Sequence, residues 1–152
     1  MGLRIVVGGD NAGFSYKETL KRDLEADDRV DLVIDVGVGE STDETHYPNV
    51  AIAAAEKIAA GEVDRGLLIC GTGLGVAIAA NKVRGVRAVT AHDIYSVQRS
   101  VLSNNAQVLC MGERVVGLEL ARALVNEWLE VEFDPASNSA AKVDAICAYE
   151  GD

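Results

Sequence analysis

Short apolar runs alternate along the chain with segments whose apolar positions recur every three or four residues. Residues 3–7 read as a strand. Residues 15–25 read as a helix, with Tyr16, Leu20 and Leu24 on one face. A second strand covers 32–36, and a polar loop runs from Gly37 to Tyr47. Pro48 suits the first turn of a helix that continues through Ala-rich residues 50–60. A third strand at 66–69 precedes a short helix at 76–82. A fourth strand at 87–90 leads to Asp93, a good amino-terminal cap for a helix over 94–102. A fifth strand at 107–111, an amphipathic helix at 117–130 and a last helix at 140–149, capped by Asn138 or Ser139, complete the chain.

Strands that are apolar almost throughout and alternate strictly with helices predict a parallel sheet covered on both faces. The expectation is one doubly wound, Rossmann-like α/β domain over residues 1–152, with a five-stranded parallel sheet and a C-terminal helix. In such sheets ligands bind beyond the carboxyl ends of the strands. That rule selects residues 8–13, 37–47, 70–75, 91–93 and 112–114.

Composition narrows the function. A net charge of −10 argues against nucleic acid and against an anionic membrane surface. The apolar runs are too short to span a bilayer, so a cytoplasmic protein is expected. Cys70, Cys110 and Cys147 are odd in number and widely spaced, which reads as free thiols in a reducing compartment. With only His46 and His92 available, no metal site is expected.

Cys70-Gly71-Thr72-Gly73-Leu74-Gly75 is the segment with most chemistry. Alternate glycines let backbone amides converge between a buried strand and a helix amino terminus, where negative charge is favoured. Cys70 stands at the strand exit, a setting that suits a reactive thiolate better than an inert buried thiol. The glycines run G-x-G-x-G rather than G-x-G-x-x-G, and no Gly-Lys-Ser/Thr follows. Both features argue against a dinucleotide or Walker loop. Asp10 and Asn11, after the first strand, would bind sugar hydroxyls and a phosphate, or form an ordinary turn. Asn104 in Ser103-Asn104-Asn105 is expected near the same crevice, to orient a substrate oxygen, or to cap a helix. Arg114 would clamp a phosphate or lie solvated on the surface.

Together these segments resemble the type B ribose-5-phosphate isomerase and galactose-6-phosphate isomerase family. The resemblance runs from Gly9-Asp10-x-Ala12-Gly13-Phe14 through Gly61-Glu62-Val63-Asp64, residues 68–75 and Ile78-Ala79-Ala80-Asn81-Lys82. It continues through Gly85-Val86-Arg87-Ala88 and His92-Asp93-x-Tyr95-Ser96 to Val115-Val116-Gly117 and Val143-Asp144-Ala145-Ile146. It implies a metal- and cofactor-free aldose–ketose isomerase of a small phosphorylated sugar. Cys70 would be the base and Thr72 its assistant. The amides of Gly71 to Gly75 would hold an enediolate oxygen, with Tyr47 and Leu74 among the substrate contacts. It also implies a homodimer or a dimer of dimers with shared active sites.

Departures from the family pattern bear on the substrate. Asn11 and Ser103 stand where the family usually has histidines, the second of which opens the furanose ring. Asn138 and Lys142 stand where it often has phosphate-clamping arginines. The Ser-Asn-Asn-Ala-Gln run is similar to the branch that interconverts D-erythrulose 4-phosphate and D-erythrose 4-phosphate. The alternatives are a ribose-5-phosphate isomerase or a phosphosugar-binding partner subunit.

Overall fold

The computed structural model describes residues 1–151. Five strands, β1 (Leu3–Gly9), β2 (Val30–Asp35), β3 (Arg65–Cys70), β4 (Ala88–Thr90) and β5 (Val108–Gly112), form one parallel sheet in the order β2-β1-β3-β5-β4. The helices are α1 (Phe14–Glu25), α2 (Tyr47–Ala59), α3 (Leu74–Ala80), α4 (Ile94–Leu102), α5 (Leu118–Glu130) and α6 (Ala140–Glu150). The expected single α/β domain with a C-terminal helix is therefore what the chain forms.

Alternation along the strands sorts side chains to two cores. Ile5, Val7, Leu67, Ile69, Leu109 and Met111 pack with Leu20, Leu24, Val97, Leu124 and Trp128 on the α1, α4 and α5 side. Val6, Leu68, Cys70, Val108 and Cys110 pack with the alanines of α2 and α3 on the other. Residues buried on both faces in this way explain why the strands read as continuous apolar runs.

Most element ends fall within two residues of those expected. Asp93 caps α4, accepting from the Ser96 amide at 2.7 Å. Ser139 occupies the α6 cap position without a side-chain hydrogen bond. Two shifts matter for the site. Helix α3 begins at Leu74, so Leu74 and Gly75 belong to its first turn. Tyr47 starts α2 rather than ending a loop.

Candidate active site

The chain steps one way from β1 to β2 and then crosses back past β1 to β3, which opens a crevice between the carboxyl ends of β1 and β3. The two strand exits touch. A Cβ on Gly13 would lie 2.2 Å from the Ile69 carbonyl oxygen and 2.9 Å from the Cys70 nitrogen, so only glycine allows this approach. Asp10 Oδ1 accepts from the Ala12 and Gly13 amides at 3.0 and 3.2 Å, which shapes the turn. The loop after β2 is tied down beside it. Lys17, 1% exposed, donates to Asp35 at 2.8 Å and to the Val38 carbonyl at 3.1 Å, and it lies over the Phe14 ring. Burial pushes the Asp35 carboxyl up, but hydrogen bonds from Lys17, the Gly37 amide and Lys21 outweigh that and hold it below its usual range.

Cys70 points into the α3 side of the sheet, and its Sγ accepts from the Gly73 amide at 3.1 Å. Gly73 has φ +76°, a left-handed turn that aims its N–H back at the sulfur. Thr72 Oγ1 accepts from the Leu74 amide at 3.2 Å. The β5 exit interlocks with this loop. The Glu113 and Arg114 amides donate to the Cys70 and Gly71 carbonyls, and a Cβ on Gly71 would lie 3.2 Å from Arg114 Nη1. A Cβ on Gly75 would fall 2.4 Å from the Tyr47 ring, so the tyrosine roofs the first turn of α3.

The surrounding groups are tuned as well. The Gly112 amide donates to His92 Nε2 at 2.9 Å, which requires that nitrogen to be unprotonated. Burial holds the His92 imidazole below its usual value, against a smaller opposing pull from Asp93. Burial raises the Glu113 carboxyl, with nearby Asp10 adding to the rise. Cys110, wholly buried beside Cys70, is raised by burial first and by that neighbour second. A cysteine whose sulfur receives a loop amide at a strand exit, with an arginine over the loop, is equipped to move a proton and hold the charge that results.

Comparison with known proteins decides the lineage. Residues 5–146 match the Ribose/Galactose Isomerase family. The chain belongs to this family. It is 80% identical to D-erythrulose-4-phosphate isomerase 2 of Mycolicibacterium smegmatis over 99% of both chains. It is 44% identical to ribose-5-phosphate isomerase B of Escherichia coli, over 97% and 96% of the two. It superposes on ribose-5-phosphate isomerase B of Clostridium thermocellum with a TM-score of 0.92 at 39% identity, covering 98% of each chain.

In this ribose/galactose isomerase family member the residues singled out from sequence fall into four groups. Cys70, Gly71, Thr72, Gly73, Leu74, Gly75, Tyr47 and Arg114 share the glycine-loop side of the crevice. Asp10 and Asn11 line an open recess of about 560 Å³ with Tyr47. Asn104, expected near the crevice, lies apart from the crevice of its own chain. Helix α4 runs antiparallel to the strands, so a segment leading into β5 lies near the amino ends of the strands. Accordingly the Asn105 carbonyl accepts from Arg87, just before β4, and Asn104 lines a different recess on the β4 edge. Asn138 and Lys142 are exposed around the start of α6, and neither is hydrogen-bonded to a residue of the crevice among the described residues.

Three contributors escaped sequence reasoning. His92 and Glu113 lie in strand-exit segments that the carboxyl-end rule had selected, so position alone marked them. Lys17 carried no signal, because lysines are almost never fully buried.

Proposed function

We propose that this chain interconverts D-erythrulose 4-phosphate and D-erythrose 4-phosphate, with Cys70 as the base. The observation that carries the proposal is the Cys70 sulfur at the strand exit, receiving the Gly73 N–H at 3.1 Å within the glycine loop. In this reading the Cys70 thiolate takes a proton from C1 of the ketose. The charge passes to O2, giving a cis-enediolate whose oxygen faces the amides of Gly71 to Gly75. The Cys70 thiol then returns a proton to C2, while the hydroxyl proton moves from O1 to O2 with Thr72 assisting, so atoms and charge balance. A positioned base contributes about 10²–10⁴-fold, and donors aimed at the developing oxyanion contribute a comparable further factor. Asp10 holds hydroxyls, and Asn11 and Arg114, the latter over Gly71, face the phosphate.

The substrate assignment rests on Ser103 and on the relative named for D-erythrulose 4-phosphate. In a tetrose 4-phosphate the O4 that would close a five-membered ring carries the phosphate, so a ring-opening histidine has nothing to open. The active form is proposed to be a homodimer, or a dimer of dimers, in which Asn104, Asn138 and Lys142 complete a neighbour's crevice. The separation of Asn104 from Cys70 supports this, as do the exposed apolar residues Leu74, Ile78, Ile94, Tyr95, Ile146 and Tyr149 on α3, α4 and α6. No helix among the described residues is long and apolar enough to cross a membrane, which is compatible with a cytoplasmic location.

The test is kcat/KM of the purified protein for tetrose 4-phosphate against ribose 5-phosphate, in the parent and in Ser103→His. The parent is expected to favour the tetrose, and the histidine to help the pentose more than the tetrose. A parent that turns over ribose 5-phosphate as well or better overturns the substrate assignment. No turnover of either sugar by the isolated chain would favour a partner-dependent subunit.

A further inference from the structure

Arg99 has no role in the mechanism above. It lies on α4 one turn before Ser103, and its Nε–H donates to Ser103 Oγ at 2.7 Å. That bond uses one of five guanidinium N–H groups. No ion pair among the described residues engages Arg99, whereas Arg4, Arg29 and Arg122 each hold carboxylates. Arg99 is only partly exposed, and it lines a recess of about 260 Å³ with Thr90, Ser96 and Asn104. No acidic side chain lines that recess, although the chain carries a net charge of −10. A guanidinium cannot lose its proton to relieve partial burial, so its environment favours an incoming anion.

We infer that Arg99 is a specificity-determining residue whose guanidinium binds the phosphate dianion of a substrate held in the crevice of a second copy of this chain. Ser103 is its positioning residue, a short hydroxyl that fixes the fork through Nε and leaves the Nη groups facing the recess. The inference rests on the proposed shared site, since Asn104 in the same recess is one of the groups assigned to the neighbour. The phosphate is the anion selected, because it is the substrate's only permanent dianion and the enediolate oxygen already faces the amides around Cys70. Ser103 thus has two consequences: no base for ring opening, and a hydroxyl that anchors a cation.

The experiment uses the full chain. Arg99→Ala is expected to raise KM for tetrose 4-phosphate at least about tenfold with kcat within about threefold, because phosphate is bound alike in ground and transition states. Inhibition by inorganic phosphate should weaken in parallel. Arg99→Lys should recover part of the loss. Ser103→Ala should raise KM less than Arg99→Ala does, and Ser103→Thr should restore it. Mixing Cys70→Ala protomers with Arg99→Ala protomers tests the sharing directly. A hybrid dimer contains one crevice with both residues intact, so a component with parental KM should reappear. Unchanged KM and unchanged phosphate inhibition in Arg99→Ala would overturn the inference, and so would hybrids without that component. If the parent preferred ribose 5-phosphate, the tetrose assignment alone would fall, and phosphate inhibition of Arg99→Ala would still decide the role of Arg99.

Discussion

Gly73→Ala brings fold and chemistry to one residue. The backbone there has φ +76°, which costs an L-residue roughly 1–2 kcal/mol. The new Cβ would also lie 2.7 Å from the Met111 carbonyl carbon and 2.9 Å from its Cα. These are backbone atoms of a central strand and cannot swing aside, so an overpacking cost of about 1–3 kcal/mol adds to the first. The sum, about 2–5 kcal/mol, corresponds to a fall in Tm of about 4–20 °C for a domain of this size. Two control variants separate the contributions. Gly61→Ala keeps the positive φ, +72°, but meets nothing within 4 Å, so it should cost about 1–2 kcal/mol. Gly39→Ala, with open space and no such φ, should be neutral within about 0.5 kcal/mol. Urea titrations of the three variants, with thermal melts alongside, give the values. Alanine keeps the amide, but relaxing φ away from +76° would turn that N–H off the Cys70 sulfur, so kcat should fall by up to about 10², as on misaiming a preorganised donor. If Gly73→Ala were no less stable than Gly61→Ala, the contact with β5 would not be rigid. If its kcat were normal, the amide would not serve the thiolate.

Cys70→Ala should fold normally and lose at least about 10² in turnover, with chelators having no effect on the parent. Near-normal turnover or a metal requirement, seen in a simple isomerisation assay, would rule out the thiol as base. His92 gives a pH dependence. Its folded pKa is depressed, so the unfolded chain binds the extra proton first. Stability should be level above about pH 6.5 and should decline as pH falls below that, towards the lower folded value. His92→Asn, which offers the Gly112 amide an acceptor that does not titrate, should flatten this slope in urea titrations between pH 5 and 8. An unchanged slope would clear His92. Lys17→Met should cost about 3 kcal/mol, the low end for breaking a buried pair, because Lys21 still faces Asp35. A loss below about 1 kcal/mol would show the pair to be incidental.

The sheet was legible because its inner strands β1, β3 and β5 are buried on both faces and the elements are punctuated by glycine, proline and a true cap at Asp93. The crevice was legible from the carboxyl-end rule, which selected the segments holding Asp10, Cys70, His92 and Arg114 before any coordinates. The same rule, applied strictly, places Asn104 outside the crevice of its own chain, since its segment precedes a strand instead of following one. Other features lay beyond sequence reasoning because they depend on distant partners. A lysine at position 17 looks solvent-facing until Asp35 and Val38 close over it, and the Arg99–Ser103 bond depends on side-chain direction across one helical turn. Strand order, which places β1 beside β3, is also silent in the chain, although Gly13 records its consequence.

The last helix has a consequence of its own. Of its residues only Val143 is buried, and its far end is held by Arg84 to Gly151, Gly85 to Glu150 and a long contact from Arg87 to Cys147. A helix secured by one apolar peg and a few terminal contacts opens at far lower free energy than the sheet it borders. In the separated chain, backbone amides of α6 should therefore exchange with deuterium early, while those of β1, β3 and β5 wait for global unfolding. Val131 and Phe133 still pack on the main core, so the early-opening unit should begin beyond Phe133 and comprise the turn after it together with α6.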